Sequence, residues 1–238
     1  MDFTDQNILV IGASSGIGLA TTQLLHQIGY RLFTASRHLS PELAELQTTH
    51  LALDVTQPLA PTTFDALPEV LHGVVYCPGS IKLRPFERIP LDDFRADFEL
   101  NVLGAVQVLQ LIMKRLKKAN GASVVLFSTV AAGTGMSFHT SIATAKSAIE
   151  GLTRALAAEY AASNIRVNAV APSLTDTPLA ASLLNTPEKA EAGAKRHPLQ
   201  RIGQPQDLAY AASFLLSAHS NFITGQILPV DGGMSRLK

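Results

Sequence analysis

The feature that most constrains this sequence is the alternation of short apolar runs with longer segments of helical periodicity, repeated from end to end. The first run, Ile8–Ile11, has no polar residue in its middle, which is typical of a strand buried on both faces. Similar runs predict further strands at Leu32–Ala35, Leu51–Leu53, Val74–Tyr76, Val124–Phe127, Val167–Val170 and Ile227–Pro229. Strands separated by helices predict a doubly wound α/β fold, in which a parallel sheet carries helices on both faces.

The segments between these runs predict how the chain is organised. Helical periodicity extends over residues 17–28, 91–118 and 141–161. No linker, repeat or low-complexity stretch interrupts the sequence, so we expect a single domain over residues 1–238. The segment 173–203 is punctuated by prolines and predicts an insertion after the sixth strand. Since long loops in compact α/β domains are usually functional, we expect a substrate lid there.

Composition narrows the class of partner. Lysine plus arginine and aspartate plus glutamate both number 19, and the resulting zero net charge argues against a nucleic-acid partner. No uninterrupted apolar run reaches the ~18 residues that cross a bilayer, so no membrane partner is expected. A single cysteine, Cys77, excludes an internal disulfide framework and a cysteine-cluster metal site, and no metal is expected. The acidic, polar start Met1–Asp5 differs from the basic start of a secretory signal, which predicts a cytoplasmic protein.

A glycine-rich segment, Gly12–Gly18, follows the first predicted strand and opens the first predicted helix. Glycines permit a tight turn and a close approach of the backbone to a pyrophosphate, and a helix N-terminus adds free N–H groups and a partial positive charge. The spacing G-x-x-x-G-x-G differs from the general G-x-G-x-x-G fingerprint, but the strand–turn–helix context is the required one. The segment predicts a phosphate-binding loop. The alternative is a flexible β-α turn that binds no phosphate. The predicted contact residues are Gly12, Ser14, Ser15, Gly16, Ile17 and Gly18.

Several motifs follow one another in the order of a known family. They are Gly12–Gly18 (GASSGIG), Lys146 at the start of a long helix, Arg166–Pro172 (RVNAVAP), and Ile223–Gln226 (ITGQ) leading to Val230–Gly233 (VDGG). Together they resemble the short-chain dehydrogenase/reductase family, and the resemblance covers essentially the whole chain. It implies a Rossmann-type domain with a seven-stranded parallel sheet, a nicotinamide dinucleotide, a small-molecule substrate and self-association as a homodimer or homotetramer. Family members pair through the two long helices, here 91–118 and 141–161.

The residues after the second strand predict which dinucleotide binds. An NAD-selective site normally ends this strand with an acidic residue that accepts hydrogen bonds from the ribose 2′-hydroxyl. Here Ser36 and Arg37 end the strand, and no carboxylate occurs before Glu42. An arginine in this place forms charge-assisted, bidentate hydrogen bonds to a 2′-phosphate, and Ser14 adds a hydroxyl. NADP(H) is therefore favoured over NAD(H), the alternative being that Arg37 is an ordinary solvated side chain.

The resemblance implies further cofactor contacts near the third and fourth strands. Asp54 and Val55 are similar to the family's adenine-contacting dipeptide at the end of strand three. Cys77, Pro78 and Gly79 occupy the place of the usual Asn-Ala-Gly turn after strand four, so the bracing amide of that turn is lost. We interpret Cys77 as a packed thiol rather than a nucleophile, because no histidine-linked pattern accompanies it.

The segment after the sixth strand is expected to contact both cofactor and substrate. The resemblance places Pro172, Thr175 and Thr177 near the nicotinamide carboxamide, with Thr177 the best match to the family's threonine. The lid that follows has one apolar and one basic group of side chains: Leu179, Leu183 and Leu184, then Lys195, Arg196 and His197. The apolar group predicts a pocket wall. The basic group predicts either a contact to an anionic substrate tail or a solvated face.

The catalytic pattern is present only in part. In the family, a tyrosine exchanges the substrate proton, a lysine four residues later lowers its pKa and binds the nicotinamide ribose, a serine polarises the substrate oxygen, and an asparagine holds a relay water. Lys146 matches the lysine, which puts Ile142 at the tyrosine position. The serine position falls on Thr129, with Ser128 adjacent, and Asn101 matches the asparagine. The cofactor-binding half is kept, but an isoleucine neither donates nor accepts a proton.

His139 is the candidate for a replacement acid. If the helix begins a turn early, residues 139, 142 and 146 share one face, and a histidine side chain titrates in the physiological range. The alternative is a loop histidine that contacts substrate without proton transfer. The chain's tyrosines offer no evident replacement: Tyr30, Tyr76, Tyr160 and Tyr210.

Two functional hypotheses follow. The first is an NADP(H)-binding oxidoreductase that transfers hydride to or from a carbonyl, an alcohol or an activated C=C bond by an altered proton relay. The second is a catalytically impaired dinucleotide-binding protein that acts as a sensor or scaffold, and Ile142 is the residue that favours it. Losing general acid catalysis costs roughly 10²–10⁴-fold in rate, which slows a reductase without necessarily abolishing it.

Overall fold

The computed structural model describes residues 6–237, in which a seven-stranded parallel sheet carries helices on both faces. The strands are β1 (Asn7–Ile11), β2 (Arg31–Ser36), β3 (Thr49–Ala52), β4 (Gly73–Tyr76), β5 (Ala122–Phe127), β6 (Ile165–Pro172) and β7 (Ile227–Val230). Their order in the sheet is β3-β2-β1-β4-β5-β6-β7. The predicted Rossmann-type α/β fold is confirmed. The segment Met1–Asp5, on which the secretory-signal argument rests, lies outside the described residues.

Strand β1 is buried on both faces, as its unbroken apolar run predicts. Ile8 and Val10 pack into one core with the helical residue Leu25, whereas Leu9 and Ile11 pack into the core on the opposite face. Alternate side chains of a strand point to opposite faces of the sheet. Because helices cover both faces here, each position of the run needs an apolar side chain.

Helices of different parts of the chain build the two outer layers. They are α1 (Gly16–Ile28), α2 (Pro41–Ala44), α3 (Leu91–Phe98), α4 (Gly104–Lys118), α5 (Ala131–Thr134), α6 (Thr140–Tyr160), α7 (Pro187–Lys195) and α8 (Pro205–Leu216). Helices α1 and α8 contribute to the core on one face of the sheet, and α4 and α6 to the core on the other. The chain runs outward from β1 through β2 to β3 and then crosses back to β4 on the other side of β1, so the strand order reverses between β1 and β4.

The predicted helix 91–118 is helical over its whole length but is not one regular α-helix, which corrects the prediction. A π-helical turn, Glu99–Leu103, separates α3 from α4. Contacts from distant residues hold this turn: the Tyr76 hydroxyl donates to a backbone carbonyl oxygen of the turn at 2.6 Å. A Cβ on Gly104 would lie 2.5 Å from that hydroxyl oxygen, so the helix approaches β4 closely where the turn ends. Such turns recur at functional sites, and this one contains Asn101.

By length and composition, Leu91–Lys118 is the one helix within residues 6–237 that could cross a membrane. Half of its most apolar 18-residue window is buried inside the fold. Val108, Ile112 and Leu116 have no exposed surface and belong to the core beneath the sheet. Packing against the sheet therefore accounts for the apolar side chains of this helix.

The segment 173–203 contains regular structure where the prolines predict a loop. A 3₁₀ segment and α7 lie within it, and a threonine begins each. Thr177 Oγ1 accepts a hydrogen bond from the Ala180 N–H, and Thr186 Oγ1 accepts one from the Lys189 N–H, both at 3.3 Å. A proline follows each threonine at the first helical position. The threonine–proline pairs are thus helix starts.

Candidate active site

Two adjoining depressions lie at the carboxyl ends of the parallel strands. The glycine-loop groove has a volume of about 370 Å³ and extends from the loop after β1 to the residues after β2 and β3. The apolar cavity has a volume of about 460 Å³ and lies beneath the segment 173–203. Five residues line both depressions: Ile17, Cys77, Gly79, Thr177 and Leu179. The two spaces meet at the topological switch point of the sheet, where doubly wound proteins bind their ligands.

The loop Gly12–Gly18 is a tight turn that only glycines allow. Gly12 has φ +80° and Gly16 has φ +52°, and a Cβ on Gly18 would lie 2.1 Å from the Gly12 carbonyl oxygen. At the start of α1, the Ser15 side chain makes no capping hydrogen bond, and the first turn contains no acidic residue. The N–H groups of this turn therefore have no side-chain acceptor competing for them, which fits the binding of a pyrophosphate.

Most of the predicted cofactor contacts line the glycine-loop groove. They are Gly12, Ser14, Ser15, Gly16, Ile17, Gly18, Ser36, Arg37, Asp54, Val55, Cys77, Pro78, Gly79 and Thr177. Three others, Lys146, Pro172 and Thr175, line the apolar cavity, and Asn101 is fully buried and lines neither depression. The structure thus brings together residues that the sequence spreads over more than 160 positions, because the loops after β1, β2, β3, β4 and β6 all open toward one edge of the sheet.

At the end of the groove near β2, the Asp54 carboxylate is hydrogen-bonded and the nearby Arg37 guanidinium has no salt bridge within residues 6–237. Asp54 accepts hydrogen bonds from the Thr56 N–H at 3.0 Å and the Thr56 hydroxyl at 2.7 Å. These hydrogen bonds lower the pKa of Asp54, and the charge of Arg37 contributes in the same direction. Arg37 itself is exposed and forms no salt bridge within residues 6–237. Its guanidinium is therefore available to an anion in the groove.

Lys146 and Asn101 converge where the groove and the cavity meet. A Cβ placed on Gly79 would lie 3.6 Å from Asn101 Oδ1 and 3.7 Å from Lys146 Nζ. Lys146 is buried and donates a hydrogen bond to the Phe127 carbonyl oxygen at 2.8 Å. Asn101 Oδ1 is buried and has no hydrogen-bond partner. Because a buried acceptor rarely stays unpaired, this oxygen marks a place for a water or a ligand donor, which fits the expected relay.

Burial sets the charge state of this junction. Burial lowers the pKa of Lys146 to about 8, against opposing contributions from Cys77 and Asp97. Burial also raises the pKa of Cys77 to about 12. A thiol that stays protonated is not a nucleophile near neutral pH.

Ile142 occupies the position one helical turn before Lys146 and lines the apolar cavity. It is buried and brings only hydrocarbon to this wall. All four tyrosines lie within the described residues, and none of them lines the apolar cavity. Tyr76 is buried with its hydroxyl bonded to the π-helical turn, and Tyr210 lies in a separate groove near β7. No phenol therefore reaches the junction of groove and cavity.

Ser128 and Thr129 are the two candidates for the hydroxyl that polarises the substrate oxygen, and they differ in the lengths of their existing hydrogen bonds. Ser128 and Thr129 both line the apolar cavity. Ser128 is buried, and its hydroxyl donates to Glu150 Oε1 at 2.8 Å. Thr129 Oγ1 makes only longer contacts, 3.4 Å to the Pro172 carbonyl oxygen and 3.3 Å from a backbone N–H. The Thr129 hydroxyl is thus the one that a substrate oxygen can engage at the lower cost.

His139 lines the apolar cavity just before α6 begins. The helix does not begin a turn early, because His139 is the residue before its first turn and Thr140 begins the helix. Its Nδ1 lies 2.7 Å from the Ser137 carbonyl oxygen, which favours the tautomer with the proton on Nδ1. The half-buried ring therefore has Nε2 available for a substrate.

The walls of the apolar cavity are mostly hydrocarbon, and only one residue of the predicted basic group lines it. Arg196 lines the cavity, but Lys195 pairs with Glu191 and His197 is buried. The His197 ring contacts the Gly193 carbonyl oxygen and Ser173 Oγ, both at 2.8 Å, so it braces the segment after β6. Of the predicted apolar group, Leu179 and Leu183 line the cavity and Leu184 does not. Of the three residues, Arg196 alone faces the cavity, because Lys195 ends the helix on its exposed side and His197 lies in the buried segment that follows.

Sequence reasoning missed Lys189, which lines the cavity together with Arg196. The cavity-lining residues of this helix are Lys189, Ala192, Gly193 and Arg196. Their spacing is i, i+3, i+4 and i+7, the repeat of one helix face. The signal was present in the sequence but is visible only if the proline-punctuated segment is taken as helical.

Comparison with known proteins finds relatives over nearly the whole chain. Residues 12–235 match the family model described as enoyl-(acyl carrier protein) reductase. The chain is 33% identical over 240 residues to the 3-oxoacyl-(acyl-carrier-protein) reductase of Thermotoga maritima, covering 95% of this chain and 96% of that protein. A short-chain type dehydrogenase/reductase from Mycobacterium ulcerans superimposes with a TM-score of 0.91 at 31% identity, covering 100% of this chain and 92% of that one. ElxO, solved with NADP bound, superimposes with a TM-score of 0.87 at 25% identity over 96% and 98% of the two chains.

The chain belongs to the short-chain dehydrogenase/reductase family. Its relatives are reductases and dehydrogenases, so the glycine-loop groove and the apolar cavity are those of an oxidoreductase family that binds nicotinamide dinucleotides.

Proposed function

We propose that this protein is an NADP(H)-dependent oxidoreductase that transfers hydride to or from a carbonyl, an alcohol or an activated C=C bond by an altered proton relay. The observation that carries the proposal is the convergence of Lys146 Nζ and Asn101 Oδ1 beside Gly79, which lines both depressions. A nicotinamide dinucleotide, when bound, supplies or accepts the hydride. The chain's own residues bind and orient, exclude water and handle the proton.

The choice of NADP(H) over NAD(H) rests on Arg37 and Ser14. Both line the glycine-loop groove, and β2 ends without a carboxylate that would accept from a ribose 2′-hydroxyl. An unpaired guanidinium at this place favours a 2′-phosphate. The binding of NADP by the relative ElxO supports the same choice.

The proton is handled without a phenol. With its pKa near 8, Lys146 exchanges a proton readily near neutral pH, and its ammonium is placed to bind the nicotinamide ribose. Thr129 offers the hydroxyl that polarises the substrate oxygen. His139 Nε2 is the candidate acid at the mouth of the cavity, and it donates a proton only when both ring nitrogens are protonated, since Nδ1 keeps its proton on the Ser137 carbonyl oxygen. Ile142 takes the space of the family's tyrosine and keeps water from that wall.

The substrate is a small molecule with an apolar body. Leu174, Leu179 and Leu183 line the cavity, and the amino and guanidinium groups of Lys189 and Arg196 lie on the same wall, where they favour an anionic substituent. Residues 173–203 act as the lid over this space.

The wider setting is proposed as follows. The chain is a single domain over residues 1–238 that acts in the cytoplasm, with no nucleic-acid, membrane or metal partner. It associates as a homodimer or homotetramer through α4 and α6. Phe98 and Leu103, beside α4, are 40% and 44% exposed and have apolar surface for such a contact.

Two measurements test the proposal. Fluorescence titration is expected to give tighter binding of NADPH than of NADH, because the 2′-phosphate meets Arg37. A panel of aldehydes, ketones and activated enones with apolar bodies is expected to include a substrate that consumes NADPH. Weak or equal affinity for both cofactors overturns the assignment of NADP(H). Tight NADPH binding with no turnover across the panel and from pH 5 to 9 overturns the assignment of an active enzyme.

The second candidate is a catalytically impaired dinucleotide-binding protein that acts as a sensor or scaffold. It is favoured by Ile142, which puts hydrocarbon where the family has its proton donor. Here the Ile142→Tyr variant is expected to reduce carbonyl substrates that the unaltered protein does not. Turnover by the unaltered protein equal to that of the variant rejects this candidate.

A further inference from the structure

A buried carboxylate lies behind the junction and is not part of the family pattern described above. Asp97, in α3, is 1% exposed and forms no salt bridge among the described residues. Two hydroxyls hold it: Ser80 Oγ donates to Oδ1 and Ser141 Oγ donates to Oδ2, both at 2.5 Å. A carboxylate kept in the interior without a salt bridge is costly, so its presence calls for a reason beyond packing.

The hydrogen bonds around Asp97 have a fixed direction. A carboxylate only accepts, so the single Ser80 hydroxyl proton is committed to Asp97. In its contact with Asn101 Nδ2 at 3.1 Å, Ser80 Oγ must therefore be the acceptor. The second proton of Asn101 Nδ2 is donated to the Asp97 backbone carbonyl oxygen at 2.7 Å. Both Nδ2 protons of Asn101 are thus donated to acceptors on the side of the amide that faces Asp97.

The same directions fix where the amide oxygen points. With Nδ2 engaged by Asp97 and Ser80, Asn101 Oδ1 is left on the opposite side, where it is unpaired and near the position beside Gly79 that Lys146 Nζ also reaches. If the amide rotated by half a turn, two acceptors would face Oδ1 and two donors would face Lys146. The Asp97 backbone carbonyl oxygen and the Ser80 hydroxyl, whose proton the carboxylate holds, therefore together select one of the two amide orientations.

We propose that Asp97 is a positioning residue that acts through Ser80 to hold Asn101 Oδ1 toward Lys146, an inference that rests on the proposed oxidoreductase function. The oriented amide accepts a hydrogen bond from the relay water or from the Lys146 ammonium. In the absence of a phenol at position 142, the proton path depends on this pair, because Lys146 Nζ and Asn101 Oδ1 are the polar side-chain atoms nearest to a Cβ placed on Gly79.

The chain contains a matched control. Ser80 and Ser141 each donate one hydrogen bond of the same length to the same carboxylate, but only Ser80 also contacts Asn101. Removing either hydroxyl takes one donor from a buried carboxylate and lowers the melting temperature. Only the removal of Ser80 also takes from the Asn101 amide one of its two acceptors, so that the bond to the Asp97 backbone carbonyl oxygen alone holds Nδ2.

The kinetic experiment compares the Ser80→Ala and Ser141→Ala variants with the unaltered protein, using a substrate that the panel identifies. We expect kcat to fall about 10–100-fold in Ser80→Ala, as for other small misplacements of reacting groups, while the Kd for NADPH stays within about twofold. For Ser141→Ala we expect kcat within about twofold of the unaltered protein. Equal losses of kcat in the two variants, in proportion to their losses in melting temperature, overturn the proposal.

A second readout needs no turnover. The side-chain amide resonances of Asn101, assigned in ¹⁵N-labelled protein by their loss in Asn101→Asp, report the orientation of the amide. We expect them to shift in Ser80→Ala and in Asp97→Asn but not in Ser141→Ala. Unchanged resonances in Ser80→Ala overturn the positioning role even if the enzyme is active. Shifted resonances in a protein without any turnover leave the positioning role in place and reject the oxidoreductase function.

Discussion

The pH dependence of stability tests the buried state of Lys146 directly. Its pKa in the folded protein is about 8, below the ordinary value of 10.5, because burial disfavours the ammonium. Between these values the unfolded chain binds more protons than the folded one, so stability rises as the pH rises through this window. Below pH 8 both states are protonated, and the folded protein carries the full cost of burying the charge. From pH 7 to pH 10, we expect Lys146 to add about 2–3 kcal/mol to the free energy of unfolding.

The assay is urea unfolding at several pH values, for the unaltered protein and for Lys146→Met. Methionine keeps the length and apolar stem of lysine but does not titrate, so the difference between the two proteins isolates Lys146 from other groups that titrate above pH 9. We expect the advantage of the methionine variant at pH 7 to shrink by about 2–3 kcal/mol by pH 10. A difference that stays constant from pH 7 to pH 10 would refute the reasoning, since it would mean that Lys146 titrates at the same pH in both states.

Three further predictions concern the groove and the cavity. Arg37→Ala is expected to weaken NADPH binding about tenfold or more while NADH binding stays within about twofold, and Arg31→Ala, at the other end of β2, to leave both affinities unchanged in fluorescence titrations. His139→Gln is expected to lower kcat about 10²-fold or more if the imidazole is the proton donor, and an unchanged kcat assigns His139 to substrate contact alone. Gly18→Ala is expected to destabilise the protein by about 3 kcal/mol or more, because the new Cβ would lie 2.1 Å from a backbone oxygen. The control Gly133→Ala, with no atom within 4 Å of its Cβ, should change the melting temperature little.

The glycine turn and its place at the ligand edge of the sheet could be predicted because their determinants are local. A buried strand, a glycine turn and the start of a helix are consecutive in Gly12–Gly18 and its flanks, and their geometry follows from φ values that only glycine adopts freely. Arg37 could be placed for the same reason, since the residue after a parallel strand lies at the ligand edge of the sheet. Lys146 and Asn101 were found through the family pattern, which records a distant contact as a sequence motif.

The proton side could not be predicted from local sequence. The helix 91–118 reads as one continuous apolar helix, and the π-helical turn within it depends on the Tyr76 hydroxyl, which comes from a different strand. Asp97 reads as an ordinary polar position near the start of a helix. Its two hydroxyl partners lie 17 and 44 residues away along the chain.

The sequence by itself determined the parallel sheet, the glycine turn between β1 and α1 and the hydrocarbon at position 142. Each of these depends on the polarity of a side chain or on the backbone angles that a residue type allows, and neither property requires contacts with distant segments. The tertiary structure alone decided which partners face the nitrogen and the oxygen of the Asn101 amide, and which of Ser128 and Thr129 has the more weakly bonded hydroxyl. It also decided which cations of the segment 173–203 face the cavity. Those outcomes depend on the direction of single hydrogen bonds and on burial between distant segments, and both exist only once the chain has packed.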